Sequence, residues 1–377
     1  MTARALAVLR TPAGRLGIIV PSAALIALLL WWHGPDWDSV GSAFRQVRWE
    51  FLAAGIGLNL LSIVARSIAW SIVIAEAVPK PRPGHRLVFS AFCVGLLANV
   101  VLPGRVGEIA RVAVLIRRMP GRKGLWPRMV GTVFAHRIFD LVPVVFLIGY
   151  VLLTAKVPAW ATTSLIVVIG IGVVLFAFAI AVARRHQLVH LDELSTLRRV
   201  IANARVGLAV MRTPSSTAGA ILFQGLGWLC QFFAVWITMR AFAIDVGFAA
   251  AGLVLVLMNI ATIVPLWPGN IGLLQAAVAL PLAQYYNVDY DHAFAFAVGL
   301  QIMEASVGVG IGLLFLAREG LSFAMLRGMG AQGQADHDAE TAPSAAGVPA
   351  GVPAPAGAAG TVAPATGATG DAARGPG

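Results

Sequence analysis

Charge is scarce in this chain: only 12% of its 377 residues are Asp, Glu, Lys or Arg, about half the roughly 25% usual in soluble proteins. A water-facing surface of ordinary composition is therefore excluded. Cysteine is almost absent too. Cys93 and Cys230 both fall inside apolar runs, where cysteine serves as a small buried apolar group, so neither a disulfide framework nor a Cys/His metal site is expected. Catalytic signatures are missing: there is no G-x-S-x-G, H-E-x-x-H, Walker loop or dinucleotide fingerprint. Neither an enzyme mechanism nor a cofactor is called for by any motif.

What is abundant is apolar: 58% of residues are hydrophobic and the mean hydropathy is +0.82. The apolar residues fall into separate runs long enough to cross a bilayer, which takes about 20 of them. The formal net charge is +11. In a soluble chain that would point to nucleic acid, but these basic residues occupy short loops between spans, where no nucleic-acid-binding module fits. The positive-inside rule accounts for them instead.

Residues 1–15 form a basic N-terminus, followed by a first apolar run, about Leu16–Trp32, ending in Trp31, Trp32 and Trp37, as in an interfacial aromatic belt. A short amphipathic stretch, Ser39–Trp49, leads into a second span, about Phe51–Val78. Further spans are expected at about Met129–Ala155, Trp160–Ala183, Ser216–Met239 and Ala293–Ala317. Arg184–Thr213 is rich in arginine, with leucines at helical spacing, and reads as an amphipathic helix on the cytoplasmic surface. From Gly330 onward there is no aromatic residue, leucine or isoleucine. Such a tail, residues 330–377, is expected to be disordered, because it cannot bury enough apolar surface to offset its ordering entropy. The basic loops predict a cell (cytoplasmic) membrane protein with both termini in the cytoplasm.

Two apolar runs are broken, at Pro103-Gly104 and at Pro268-Gly269. The first break reads Pro103-Gly104-Arg105-Val106-Gly107-Glu108, with Asn99 upstream. The second reads Pro268-Gly269-Asn270-Ile271-Gly272, with Asn259 upstream and Gln275 in the following turn. Basic residues flank the first, and Asp245, Asp289 and Asp291 flank the second, so the two should open on opposite sides. The expected fold is an all-α polytopic membrane protein with about six full spans and two oppositely oriented re-entrant broken helices in an inverted repeat, over residues 16–318. Corresponding interruptions in two halves are the best sequence pointer to a substrate site. Free N–H groups after each break suit phosphate or carboxylate, and the glycines allow a headgroup close to the backbone. Two kinked helices with glycines used only for packing is the alternative.

Several charges fall inside the spans. Arg105, Glu108 and Arg111 line one helical face, either as an anion-headgroup site, for which arginine suits phosphate, or as a structural ion-pair ladder. His136, Arg137 and Asp140 form a second cluster, in which Arg137 and Asp140 can pair at i, i+3, either as a functional site, the default for ionisable residues inside a span, or as a pair that sets helix registry. Gln224, Trp228 and Gln231 form a stripe suited to helix–helix hydrogen bonds. Glu304, on the last span with Gln301, needs a partner or a proton, and Arg66 is one candidate partner.

At these motifs the chain resembles the lysylphosphatidylglycerol synthase transmembrane-region family, also called flippase-like membrane proteins. The residues that carry the resemblance are Asn99–Glu108 with Arg111, then His136-Arg137-Ile138-Phe139-Asp140, then Pro268–Gly272. The family's usual Glu after the second Pro-Gly is Gln275 here, and Gln301 stands where an arginine is common. The resemblance implies a translocation module lacking the soluble aminoacyl-transfer domain. Its expected function is to flip or scramble an anionic lipid or lipid-linked substrate, with membrane lipids as partners. A second reading is a membrane enzyme acting on a lipid headgroup by modification or glycosyl transfer, or a subunit serving a lipid-biosynthetic enzyme partner. A third is a scaffold that binds through its basic cytoplasmic helix.

Overall fold

The computed structural model describes residues 35–78, 80–101, 106–119, 125–157, 159–184, 208–262 and 270–320. The first apolar run, the break residues Pro103, Gly104, Arg105, Pro268 and Gly269, most of the arginine-rich stretch and the C-terminal tail lie outside the described residues. Among the described residues all regular structure is helical. The helices are α1 (Trp37–Arg45), α2 (Trp49–Ala77), α3 (His85–Val101), α4 (Gly107–Arg117), α5 (Leu125–Thr154), α6 (Ala159–Arg184), α7 (Pro214–Ala241), α8 (Phe248–Ala261), α9 (Leu273–Tyr286) and α10 (Tyr290–Arg318). A 3₁₀ turn at Leu208–Arg212 precedes α7.

Among the described residues five helices are long and apolar enough to cross a membrane: α2, α5, the Thr162–Ala181 part of α6, α7 and α10. Helix is the natural form here because it satisfies every backbone N–H and C=O internally, as a hydrocarbon environment requires. At 29 residues α2 is about 43 Å long, whereas α3, with 17 residues, reaches about 25 Å and α4, with 11, about 16 Å. Neither α3 nor α4 alone covers a hydrocarbon core of about 30 Å. The outer surface is apolar: Ile166, Val167, Ile171, Val174 and Phe178 on α6, Phe146 and Leu153 on α5, and Leu222 and Leu229 on α7 are all exposed. A continuous apolar exterior of this kind belongs in lipid.

The short helices pair into two hairpins, α3–α4 and α8–α9. Ser90, near the start of α3, and Arg118, just past α4, both donate to Glu319 beyond α10, at 2.9 and 2.8 Å. The mouth of the first hairpin therefore lies at the C-terminal end of α10. The second hairpin joins α7 to α10 at the opposite end. There Lys156 N donates to the Tyr286 hydroxyl at 3.3 Å, Arg48 N to the Ala241 carbonyl at 2.9 Å, and His292 to the Phe242 carbonyl. The two hairpins open toward opposite ends of the long helices.

The chain thus contains one arrangement twice, inverted: long helix, hairpin, long helix. Pro214 follows Trp49, Gly272 follows Gly107 and Tyr290 follows Leu125 at one constant interval of 165 residues. The helices of the first half have 29, 17, 11 and 30 residues and those of the second 28, 14, 14 and 29. An apolar core surrounds each hairpin. One holds Trp70, Val88, Leu97, Leu115 and Met129; the other holds Met239, Leu255, Val278, Phe296 and Leu300.

Candidate functional site

Each hairpin tip is closed by a side-chain amide. Gly107 N, at the start of α4, donates to Asn99 Oδ1 at 2.8 Å. At the second tip Asn270 Nδ2 donates to the Ala261 carbonyl at 2.8 Å, and Gly272 N to Gln275 Oε1 at 2.6 Å. These bonds satisfy backbone groups left unpaired at the ends of the short helices. Two local features require glycine. A Cβ on Gly107 would run into the Gly95 carbonyl and the Asn99 side chain, and Gly272 has φ +89°, a conformation open to glycine and hostile to other residues.

Glu108, the second residue of α4, pairs with Arg111 one turn on and with Arg137 of α5. Arg137 Nη1 also donates to Asp140 Oδ2 at 3.1 Å. Asp140 Oδ1 accepts from Trp228 Nε1 at 2.9 Å and from Gln224 Nε2, both on α7. Arg111 is 4% exposed, and its guanidinium lies over the rings of Trp70, at 4.5 Å, and Phe92, at 5.4 Å. Contacts of this kind are worth most in desolvated surroundings. Although it is close to Glu108, the geometry is that of an ion pair without hydrogen-bond alignment. Arg111 Nε and Nη2 have no hydrogen-bond partner among the described residues.

The other half of the site sits on α2, α7 and α10. Arg66 Nη2 donates to Gln231 Oε1 at 2.6 Å, and Gln231 Nε2 to Glu304 Oε1 at 2.9 Å. The amide thus stands between the guanidinium and the carboxylate and joins them. The Arg66 guanidinium also lies 4.9 Å from the Trp228 ring centroid, and the Arg66 carbonyl accepts from His136 Nε2 at 3.2 Å. On α10, Gln301 lies one turn before Glu304 and accepts from Gln275 Nε2 of α9.

The sum is a chain of polar contacts running from one hairpin to the other. It passes from Glu108 through Arg137, Asp140 and Trp228 to Arg66, then through Gln231, Glu304 and Gln301 to Gln275 and Gly272. One link is a cation over a ring and one is a turn of α10; the rest are hydrogen bonds or ion pairs. Glu304 falls between Met303, which belongs to one apolar core, and Val307, which belongs to the other. Gln224 falls likewise between Ala220 and Trp228. The polar layer therefore lies where the two cores meet.

Of the residues singled out from the sequence, Glu108, Arg111, Arg137 and Asp140 come together in one network, and Glu304 and Gln275 occupy its far end. Asn99, Gly107, Asn270 and Gly272 build the hairpin tips. Asn259 bonds to its own helix, at the Leu255 carbonyl. The Gln224–Trp228–Gln231 stripe makes interhelical hydrogen bonds, as its spacing predicts. Sequence reasoning missed the aromatic seat of Arg111 and the pairing of Arg66 with Gln231. The second had a signal. The interval that separates Pro103 from Pro268 also carries Arg66 onto Gln231, so the two occupy equivalent places in the two halves.

An apolar exterior, five membrane-length helices among the described residues and a polar layer where two inverted halves meet define a multi-pass helical membrane protein. The chain belongs to the family of the lysylphosphatidylglycerol synthase TM region, whose profile matches residues 18–312. It is also 26% identical over 129 residues to a UPF0104 membrane protein of Pyrococcus horikoshii, a match covering 34% of this chain and 37% of that protein. The chain therefore spans little more than a third of the length of this curated relative.

Proposed function

We propose that the protein is a translocase, acting as flippase or scramblase, for an anionic lipid or lipid-linked substrate across the cytoplasmic membrane. The observation that carries this reading is the polar chain joining the tips of two oppositely opening hairpins. A charged headgroup is costly to move through hydrocarbon: a single charged side chain at the bilayer centre costs about 2.5–3.5 kcal/mol even on insertion scales. A polar layer lowers that barrier, while the alkyl chains stay in lipid.

In this reading both hairpins are re-entrant, the first from the cytoplasmic side and the second from outside, with both termini cytoplasmic. Irregular backbone at membrane depth is tolerated where it lines a cavity, and broken helices meeting at mid-membrane form the substrate sites of inverted-repeat transporters. Arg66, Arg111 and Arg137 balance Glu108, Asp140 and Glu304 in formal charge. Arg105, two residues before Gly107 in the sequence, would add a fourth cation to this set, and in this reading it is the charge an anion would answer. Arg111 supplies a buried guanidinium whose Nε has no hydrogen-bond partner among the described residues. The second tip, with Asn270, Gly272 and Gln275 after Pro268-Gly269 in the sequence, offers neutral polar groups.

The test is reconstitution of the full chain into liposomes carrying head-labelled phosphatidylglycerol, with dithionite quenching to count the label on each leaflet. Wild type should equilibrate the label between leaflets, and Arg105→Ala and Glu108→Ala should slow it at least about tenfold, equivalent to about 1.4 kcal/mol of barrier. Equal rates in all three proteins would overturn the assignment of this site.

A further inference from the structure

Beside the polar layer, α5 and α7 leave a groove of about 590 Å³, within the range of about 300–1,000 Å³ typical of ligand sites. Its walls include Val142, Pro143 and Phe146 on α5 and Gly225, Trp228 and Leu229 on α7. The lining is almost wholly apolar, with Tyr150 and Trp228 carrying its polar groups, and the groove opens sideways: Phe146 is 75% exposed and Leu229 51%. Only hydrocarbon can fill such a space at membrane depth without leaving polar groups unpaired.

Two further features bear on the occupant. Trp228 belongs to both sites. Its ring forms part of the groove wall, and its N–H is bonded to Asp140 at 2.9 Å, so a molecule in the groove lies one side chain away from the charged network. The groove also breaks the internal symmetry. Val142, Pro143 and Leu147 correspond, 165 residues on, to Val307, Gly308 and Gly312 of α10. There the surface is closed: Val307 is 3% exposed, and α3 lies so near that a Cβ on Gly312 would come within 2.9 Å of the Cys93 carbonyl. The opening therefore does not follow from the repeated architecture. It is present on the side where α5 carries Arg137 and Asp140.

We propose that this groove holds one hydrocarbon tail of the lipid whose headgroup engages the arginines of the network around Asp140, entering laterally between α5 and α7. This rests on the translocase reading and sharpens it. The substrate is an intact lipid, recognised by tail and headgroup together, and a water-soluble anion bearing the same headgroup is a poor ligand. Gly225 is the place to test it, because nothing lies within 4 Å of a Cβ built there. A Cβ at Gly225 meets no protein atom and stands on the groove wall, so a larger side chain there takes up groove space. Gly310 on α10 is equally open and remote in kind, so it serves as the control.

The full chain is reconstituted into phosphatidylcholine vesicles doped with phosphatidylglycerol that carries a diazirine at its acyl end, then illuminated and peptide-mapped. Labelling should concentrate on residues 142–150 and 221–233. Gly225→Phe should cut it at least about tenfold, the equivalent of only a few buried methylenes. Gly225→Leu should fall between, and Gly310→Phe should match wild type. Excess unlabelled phosphatidylglycerol should compete, and glycerol phosphate should not. Labelling spread evenly over the exposed faces of α6 and α10, indifference to Gly225→Phe, or equal competition by glycerol phosphate would each overturn the proposal. Because the readout is binding, it separates from flux: groove labelling without translocation would sink the translocase reading and leave the groove standing.

Discussion

Arg66 donates to Gln231 at 2.6 Å, and the two residues lie 165 positions apart, at the same place in the two inverted halves. A contact between equivalent residues marks where a pseudo-two-fold axis passes. Here it falls where α2 and α7 cross. The axis is broken chemically: one position carries a permanent cation and the other an amide, which passes the contact on to Glu304 at 2.9 Å.

Gln231 is thus the joint of the second half of the network. Gln231→Leu removes the acceptor of Arg66 and the donor to Glu304 together, and leaving such groups unsatisfied costs about 1–3 kcal/mol, more where they are charged. Glu304→Gln keeps an oxygen facing Gln231 Nε2 and should cost less. Thermal unfolding in detergent should rank them wild type, Glu304→Gln, then Gln231→Leu.

Asp140 holds α5 to α7 through two donors on one oxygen and to Arg137 through the other. Asp140→Asn keeps the first oxygen but turns an amide toward the Arg137 guanidinium. Trp228→Phe removes only one hydrogen bond to a charged acceptor, a loss of about 1.5–3 kcal/mol. Asp140→Asn should therefore lower the unfolding temperature further than Trp228→Phe, whereas Asp140→Ala, which removes both oxygens and with them the shared bond, should combine with Trp228→Phe to less than the sum of the two losses. Additive losses would mean that the indole–carboxylate bond does not form.

The long helices are legible in the sequence because a bilayer demands unbroken apolar runs, and the hairpins are legible because Pro103-Gly104 and Pro268-Gly269 interrupt two of them. Glu108 with Arg111 and Arg137 with Asp140 could be paired in advance, since helical spacing alone brings them together. The contact of Arg137 with Glu108 could not, because it depends on how α4 packs on α5. The same holds for Arg111 between Trp70 and Phe92, where three helices converge. Periodicity reports one helix face at a time. The assembly of faces from α2, α3 and α4 is tertiary information, and only the constant interval between the halves carries any of it into one dimension.

The close crossing within the first hairpin yields a packing test. Gly107→Ala sets a methyl against the Gly95 carbonyl and the Asn99 side chain. Backbone cannot yield as a flexible side chain does, so the cost should be at least the usual 1–3 kcal/mol or so of overpacking. At Gly57, on α2, a Cβ meets nothing within 4 Å, and Gly57→Ala should stabilise by about 0.8–1.0 kcal/mol through helix propensity. Denaturation curves that shift in opposite directions for the two variants would establish the contact. Equal behaviour would show that the α3–α4 hairpin is looser than described.

The opposed hairpins make the last prediction, which concerns sidedness. Arg86 and Arg118 are exposed at the mouth of the first hairpin, and Asp245 and Asn287 at the mouth of the second. Cys93 and Cys230 are buried and can be replaced by alanine to give a background without thiols. Single cysteines at Arg86 and Arg118 should then react with a membrane-impermeant maleimide from the cytoplasmic face, and those at Asp245 and Asn287 from the outer face. The pairs are the informative unit. If Arg86 and Arg118 label from opposite sides, α3 and α4 together cross the membrane once, and the inverted repeat of re-entrant hairpins cannot stand. If each pair agrees within itself and the two pairs disagree with each other, the polar layer from Glu108 to Gln275 lies between two mouths that open on opposite compartments. That is the arrangement alternating access requires.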